Sequence, residues 1–112
     1  MTNYTYRFFS RFDGSELCKI TSTTSGVAAV VANAVSSGYS FAGANLANVD
    51  FSARDLTGGN FYEADLSNTL LIRATVTNCN FEQANLSGAD FSSATATNAN
   101  FQGAYKEGWT SY

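Results

Sequence analysis

Every fifth residue from Phe41 to Phe101 is apolar: Phe41, Leu46, Phe51, Leu56, Phe61, Leu66, Leu71, Val76, Phe81, Leu86, Phe91, Ala96 and Phe101. A helix returns apolar side chains every ~3.6 residues and a strand every ~2, so a sustained period of five belongs to neither. It suits a chain that turns a corner at each block, with four blocks, and so twenty residues, making one coil of roughly square section. Residues one coil apart then stand above one another, and they match in type. Phe41, Phe61, Phe81 and Phe101 share one side, Leu46, Leu66 and Leu86 the next, Phe51, Leu71 and Phe91 the third, and Leu56, Val76 and Ala96 the fourth. Successive coils are expected to stack at about the 4.8 Å spacing of strands.

The other places in the block follow from this geometry. Small residues two places earlier, with Ala at 44, 64, 74, 84, 89, 94 and 99, complete the interior layer without crowding the axis. The residue between is mostly Asn or Asp, whose side chain bonds the backbone at a corner. A stack of this kind has unpaired edges at both ends and requires caps.

Composition narrows the function. Charged residues make up 13% of the chain and the net charge is -3, with the six basic residues scattered, so a basic face for binding nucleic acid is excluded. Histidine is absent, and Cys18 and Cys79 lie in different segments without metal-ligand spacing, which leaves two free thiols suited to a reducing cytoplasm. No apolar run approaches the ~20 residues of a membrane span, and no leader pattern opens the chain. With no imidazole base and no Gly-rich phosphate cradle, neither catalysis nor a bound cofactor or metal is expected.

Ahead of the repeats, YTYRFFSRFDGSELCKIT places Asp13-Gly14 between two segments rich in large apolar residues, a hairpin signal. A two-residue turn pairs Phe12 with Ser15, Arg11 with Glu16, Ser10 with Leu17 and Phe9 with Cys18, and puts Tyr6, Phe8 and Phe12 on one face. In TSTTSGVAAVVANAVSSG, Val27, Val30, Val31, Ala34 and Val35 fall on one side of a helix, with Ser25 as N-cap and Gly38 as C-cap. This helix is expected to plug one end of the stack.

The blocks AGANL, EADLS, QANLS and GADFS resemble the A(D/N)Lxx pattern of the pentapeptide-repeat family. The resemblance implies an all-β solenoid, a right-handed quadrilateral β-helix of about three coils, preceded by a β-hairpin and a short capping α-helix. It divides the chain into a hairpin and helix over 1–38, repeats over 39–104, and an aromatic cap or dimerisation tail over 105–112. The hairpin and helix are similar to the amino-terminal part of small phage and bacterial members. Family members are mostly non-enzymatic, and some imitate duplex DNA and inhibit type II topoisomerases.

Residues that break the pattern carry the functional expectations. Arg54 stands where a small residue belongs, so either the first turn is distorted or Arg54 turns to the hairpin and meets a partner such as Glu16. Leu70 replaces the corner Asn or Asp, with Ile72 and Arg73 beside it and Tyr62 expected on a neighbouring side, together a candidate surface for a protein partner. Tyr105, Trp109 and Tyr112 are placed to close the open end or to join two copies as a homodimer. Thr75, Thr77, Thr95 and Thr97 form a ladder on one side with Thr57 nearby, a pattern that exposed strands favour. Asp50, Asp55, Glu63, Asp65, Glu82 and Asp90 spread over all four sides and form no continuous acidic strip. Three functions are weighed: a non-catalytic protein that docks on another macromolecule, a DNA mimic, and a nucleotide sponge with a pocket at a seam.

Overall fold

The structure, a computed structural model, describes residues 2–112. Strands β1 (Tyr4–Phe9) and β2 (Glu16–Ser22) form an antiparallel hairpin whose inner face carries buried Phe8 and half-buried Tyr6, Cys18 and Ile20. Its register differs from the one the turn signal predicts. Phe8 pairs with Cys18 and Phe9 with Glu16, with a bulge between Phe8 and Phe9. The Ser10 N–H donates to the Ser15 carbonyl at 2.8 Å and the Gly14 N–H to the Ser10 carbonyl at 3.1 Å, so residues 11–14 form the turn. Asp13 Oδ1 accepts both the N–H and the hydroxyl of Ser15, and only Gly14, at φ +73°, adopts the left-handed region. This local bonding satisfies the turn without the two positive φ values a type I′ turn demands. Phe12 consequently points away from the inner face and is 65% exposed.

Helix α1 (Val27–Ser36) buries Val30, Val31, Ala34 and Val35, the 3–4 spaced stripe of the sequence. Ser25 is not its cap. Gly26 holds that place at φ +96° with no side-chain cap, and donates its own N–H to the Tyr6 hydroxyl at 2.7 Å. At the other end the Gly38 N–H donates to the Val35 carbonyl and the Tyr39 N–H to the Ala34 carbonyl, both at 3.0 Å, with Gly38 at φ +89°. These bonds satisfy the carbonyls that the last helical turn leaves open.

From Phe41 the chain coils. Parallel bridges join residues twenty apart in four columns: Asn45, Asp65, Asn85, Tyr105; Asp50, Leu70, Asp90, Thr110; Asp55, Thr75, Thr95; and Asn60, Asn80, Asn100. Each side is so short that one residue bridges per column, yet the ladder is continuous. The Phe61 N–H donates to the Asn80 carbonyl at 2.8 Å, the Glu63 N–H to the Glu82 carbonyl at 2.9 Å, and the Asn85 N–H back to the Ala64 carbonyl at 2.9 Å. At each corner from Phe51 onward a short bond such as Ala64 N–H to the Phe61 carbonyl, 3.0 Å, closes the turn, and the residue before it adopts positive φ, as at Glu63, Arg73 and Gln83. Asn at 48, 68, 78 and 98 is well chosen there, because Asn tolerates the left-handed region best among non-glycine residues. Corner Asn and Asp side chains accept the N–H two residues on, as Asp50 does from Ser52 at 2.9 Å and Asn80 from Glu82 at 2.9 Å.

The interior is apolar, built from phenylalanine and aliphatic side chains. Central residues from Phe41 to Phe91 are all buried, each contributing about 1.5–3 kcal/mol for the large side chains. Phe41, Phe61, Phe81 and Phe101 stack with centroids 6.3, 5.5 and 5.1 Å apart. The hairpin caps the first coil by extending the ladder: the Asn45 N–H donates to the Phe9 carbonyl and the Arg11 N–H to the Gly43 carbonyl, both at 2.8 Å, and Phe8 meets Phe41 edge-on at 5.1 Å. At the far end the backbone pattern runs on past residue 104, with Asp90 bridging Thr110. The boundary drawn there from sequence falls inside the ladder, because Lys106 and Ser111 at the central places hide a pattern that the backbone keeps.

Candidate interaction surfaces

Arg54 does not distort the first coil. Its N–H makes the ordinary corner bond to the Phe51 carbonyl at 3.0 Å, and its side chain is exposed, whereas Ala74 one coil on is buried. Nor does it meet Glu16, which pairs with Arg7 at 3.3 Å. The first coil lies at the rim of the stack, where a long side chain can leave the layer and stay hydrated.

Leu70 and Ile72 lie on one side, Leu70 39% exposed and Ile72 half-buried, with Arg73 exposed at the corner at φ +59°. Above and below Leu70 in its column stand Asp50 and Asp90. The Ser52 hydroxyl and N–H hold the Asp50 carboxyl below the usual range, with Arg54 adding to the effect, and Ser92 does the same for Asp90. The patch is two aliphatic side chains and a cation between two fixed carboxylates. Tyr62 is not part of it. Ten residues separate the centres Phe61 and Leu71, half of the twenty-residue coil, so Tyr62 lies on the opposite side.

At the carboxy-terminal end Trp109 turns inward, its ring 5.4 Å from Phe91 and 5.5 Å from Phe101. Tyr112 stacks on Phe101 at 5.7 Å and prolongs the phenylalanine column, while the Lys106 ammonium lies 5.1 Å from the centre of the Trp109 ring. Tyr105 stands apart from them, 57% exposed, donating its hydroxyl to Glu107 at 2.6 Å, which pushes the phenol above its ordinary pKa.

Cys79 fills a small-residue place in the interior. Its Sγ lies 2.9 Å from the Leu56 carbonyl, and burial pushes the thiol up to about 11. Among the described residues no three His, Cys, Asp or Glu side chains gather as a metal site, and no helix is long and apolar enough to cross a membrane. Sequence reading missed Arg11, whose Nη1 donates to the Glu63 carbonyl at 3.1 Å. Nothing in the five-residue period marks a residue that lies outside it.

The single-bridge columns and apolar interior define a β-helical solenoid built from five-residue blocks. A family model described as pentapeptide repeats matches this chain in eight copies over residues 40–71 and 77–105, more than half its length. The chain belongs to the pentapeptide repeat family.

Three crystal structures illustrate the likeness. A pentapeptide repeat protein from the thylakoid lumen of Arabidopsis thaliana is 25% identical with a TM-score of 0.33, over 62% of this chain and 52% of that one. Rfr23 from the cyanobacterium Cyanothece 51142 is 23% identical with a TM-score of 0.31, over 55% and 59%. The pentapeptide repeat protein alr5209 from Nostoc PCC 7120 is 20% identical with a TM-score of 0.29, over 73% and 93%. The chain thus spans between half and three fifths of the first two. No curated protein matches it.

Proposed function

We propose that this chain is a non-catalytic binding protein, a right-handed quadrilateral stack of about three coils that docks the Leu70, Ile72 and Arg73 face on another protein in the cytoplasm. One observation carries the reading: Leu70 is the one aliphatic residue among the corner places, in a column whose other members are Asp50, Asp90 and Thr110. The substitution gives up a corner hydrogen bond and exposes apolar surface, a local cost without structural return. In this reading the chain is a phage-encoded modulator, and the bound partner that such a rigid non-catalytic plug inhibits is a host enzyme or a component of a host defence system. Capture of one protein from a cell lysate, lost when Leu70→Asp and Ile72→Asp are combined, supports docking. Retention of that protein by the double variant overturns it.

A second reading has its own observation. In the last coil the N–H groups of Ala96, Phe101, Gly103, Lys106 and Gly108 have no backbone acceptor, although their counterparts one coil earlier all do. A four-sided ring of open donors is matched by another four-sided end, which favours a two-fold dimer of carboxy-terminal ends and, because the hairpin covers the other end, a closed one. Sedimentation that shows a monomer at high concentration removes it. Duplex mimicry fits less well, since Leu70 interrupts the column between Asp50 and Asp90. Salt-sensitive inhibition of a type II topoisomerase would reinstate it.

A further inference from the structure

We propose that the corner groove between the hairpin turn and the later coils binds a nucleoside monophosphate. The proposal stands apart from the docking reading, which uses a different face. The groove has a volume of about 350 Å³ and is lined by Arg11, Gln83, Ala84, Asn85 and Tyr105. That volume lies in the ~300–1,000 Å³ range of small-molecule sites.

The four polar lining residues divide the recognition into three parts. Arg11 is the cation. Its Nη1 is tied to the Glu63 carbonyl at 3.1 Å and its guanidinium lies 5.1 Å from the Phe12 ring centre, so it is held in place without a carboxylate partner. Tyr105, at the opposite end, stacks on no other aromatic residue among those described and is fixed through its hydroxyl to Glu107. Between them stand two side-chain amides. Asn85 Oδ1 accepts the Ser87 N–H at 3.1 Å and hydroxyl at 2.8 Å, which leaves its Nδ2 as a donor. Gln83 lies over Gly103, where a Cβ would overlap it, and keeps both a donor and an acceptor.

A cation, a ring and an amide pair together select a ligand with an anion, a planar face and a polar edge, which is a nucleobase carrying a phosphate and not a hydrocarbon ring. Arg11 is anchored on the second coil and Tyr105 belongs to the fourth, two coils on, roughly 10 Å at the strand spacing. That span suits one nucleotide. Arg11 is the one cation among the lining residues, enough to pair with a single phosphate group.

The test is a titration of the ¹⁵N-labelled chain with adenosine monophosphate, adenosine and inorganic phosphate in separate arms. Saturable shifts at Arg11, Gln83 and Tyr105 with adenosine monophosphate, and weaker ones with adenosine, are expected. Arg11→Gln and Tyr105→Ala each weaken binding by about tenfold or more, the loss of one charge-assisted or stacking contact, whereas Lys19→Gln leaves it unchanged. Both groove side chains lie outside the core, so the variants keep the rest of the spectrum. The proposal is overturned by the absence of saturable shifts at millimolar adenosine monophosphate, by equal binding to Arg11→Gln, or by the same shifts with phosphate alone.

Discussion

The hydroxyl of Tyr6 accepts the hydrogen bond that the Gly26 N–H donates, at 2.7 Å, and so ties the inner face of the hairpin to the start of the helix behind it. A residue on β1 thus takes up the open N–H of the N-cap position, twenty places later in the chain. Tyr6→Phe removes only this bond and is expected to cost about 1 kcal/mol in urea unfolding. Ser25→Ala is expected to cost far less, since Ser25 caps nothing. Equal costs for the two variants would restore Ser25 as the cap.

Leu70 sits where a corner Asn or Asp accepts the N–H two residues on, and the Ile72 N–H has no such acceptor. Leu70→Asn is expected to raise stability by about 0.5–1 kcal/mol by restoring the bond, while abolishing partner capture. A variant that is both more stable and still captures the partner would move the docking face elsewhere on the stack.

Acid should weaken the fold through its corners. Hydrogen bonds from the hydroxyls of Ser52, Thr57 and Ser92, joined by the N–H groups of the same residues, hold Asp50, Asp55 and Asp90 below the ordinary carboxylate range. Ser15 does the same for Asp13 in the hairpin turn. A carboxyl depressed in the folded state contributes stability that is present above its unfolded pKa of about 4 and is lost as pH falls through the lower folded value. Urea midpoints are therefore expected to hold from neutrality to about pH 5 and to fall below pH 4. Replacing Asp50, Asp55 and Asp90 together by Asn, which serves the same corners at 45, 60, 80, 85 and 100, should flatten that fall.

Protection against hydrogen exchange should grade along the stack. The N–H groups of Phe61, Leu66, Leu71 and Val76 donate to the coil beyond, each at 2.8 Å, and are expected to be the slowest to exchange. Those of Ala96, Phe101, Lys106 and Gly108 lack that partner and should exchange fast. Slow exchange at these last positions, rising with protein concentration, would mark the carboxy-terminal dimer.

What the sequence made legible is the part of the fold that repeats. Phe41 and Leu46 recur in type one coil later and Phe51 and Leu56 are followed there by other apolar residues, so the twenty-residue ladder could be counted before any coordinates. The hairpin register could not, because Asp13 can bond Ser15 locally and the Asp-Gly pair then sits inside a four-residue turn. Arg54 misled for a related reason: a place that is interior in the second coil is a rim in the first. Tyr62 was open to arithmetic, since half a coil from Leu71 is the opposite side. The groove at Arg11 was not, because the residues that line it, Arg11, Gln83 and Tyr105, belong to distant segments.

The corner at every block makes five residues a quarter-turn. An insertion of one block after Leu66 would keep every interior side chain inward and still swing Leu70 and Ile72 around by a right angle relative to the hairpin. Duplicating fifteen bases of coding sequence is therefore enough to re-aim a binding face, as if turning a dial with four stops.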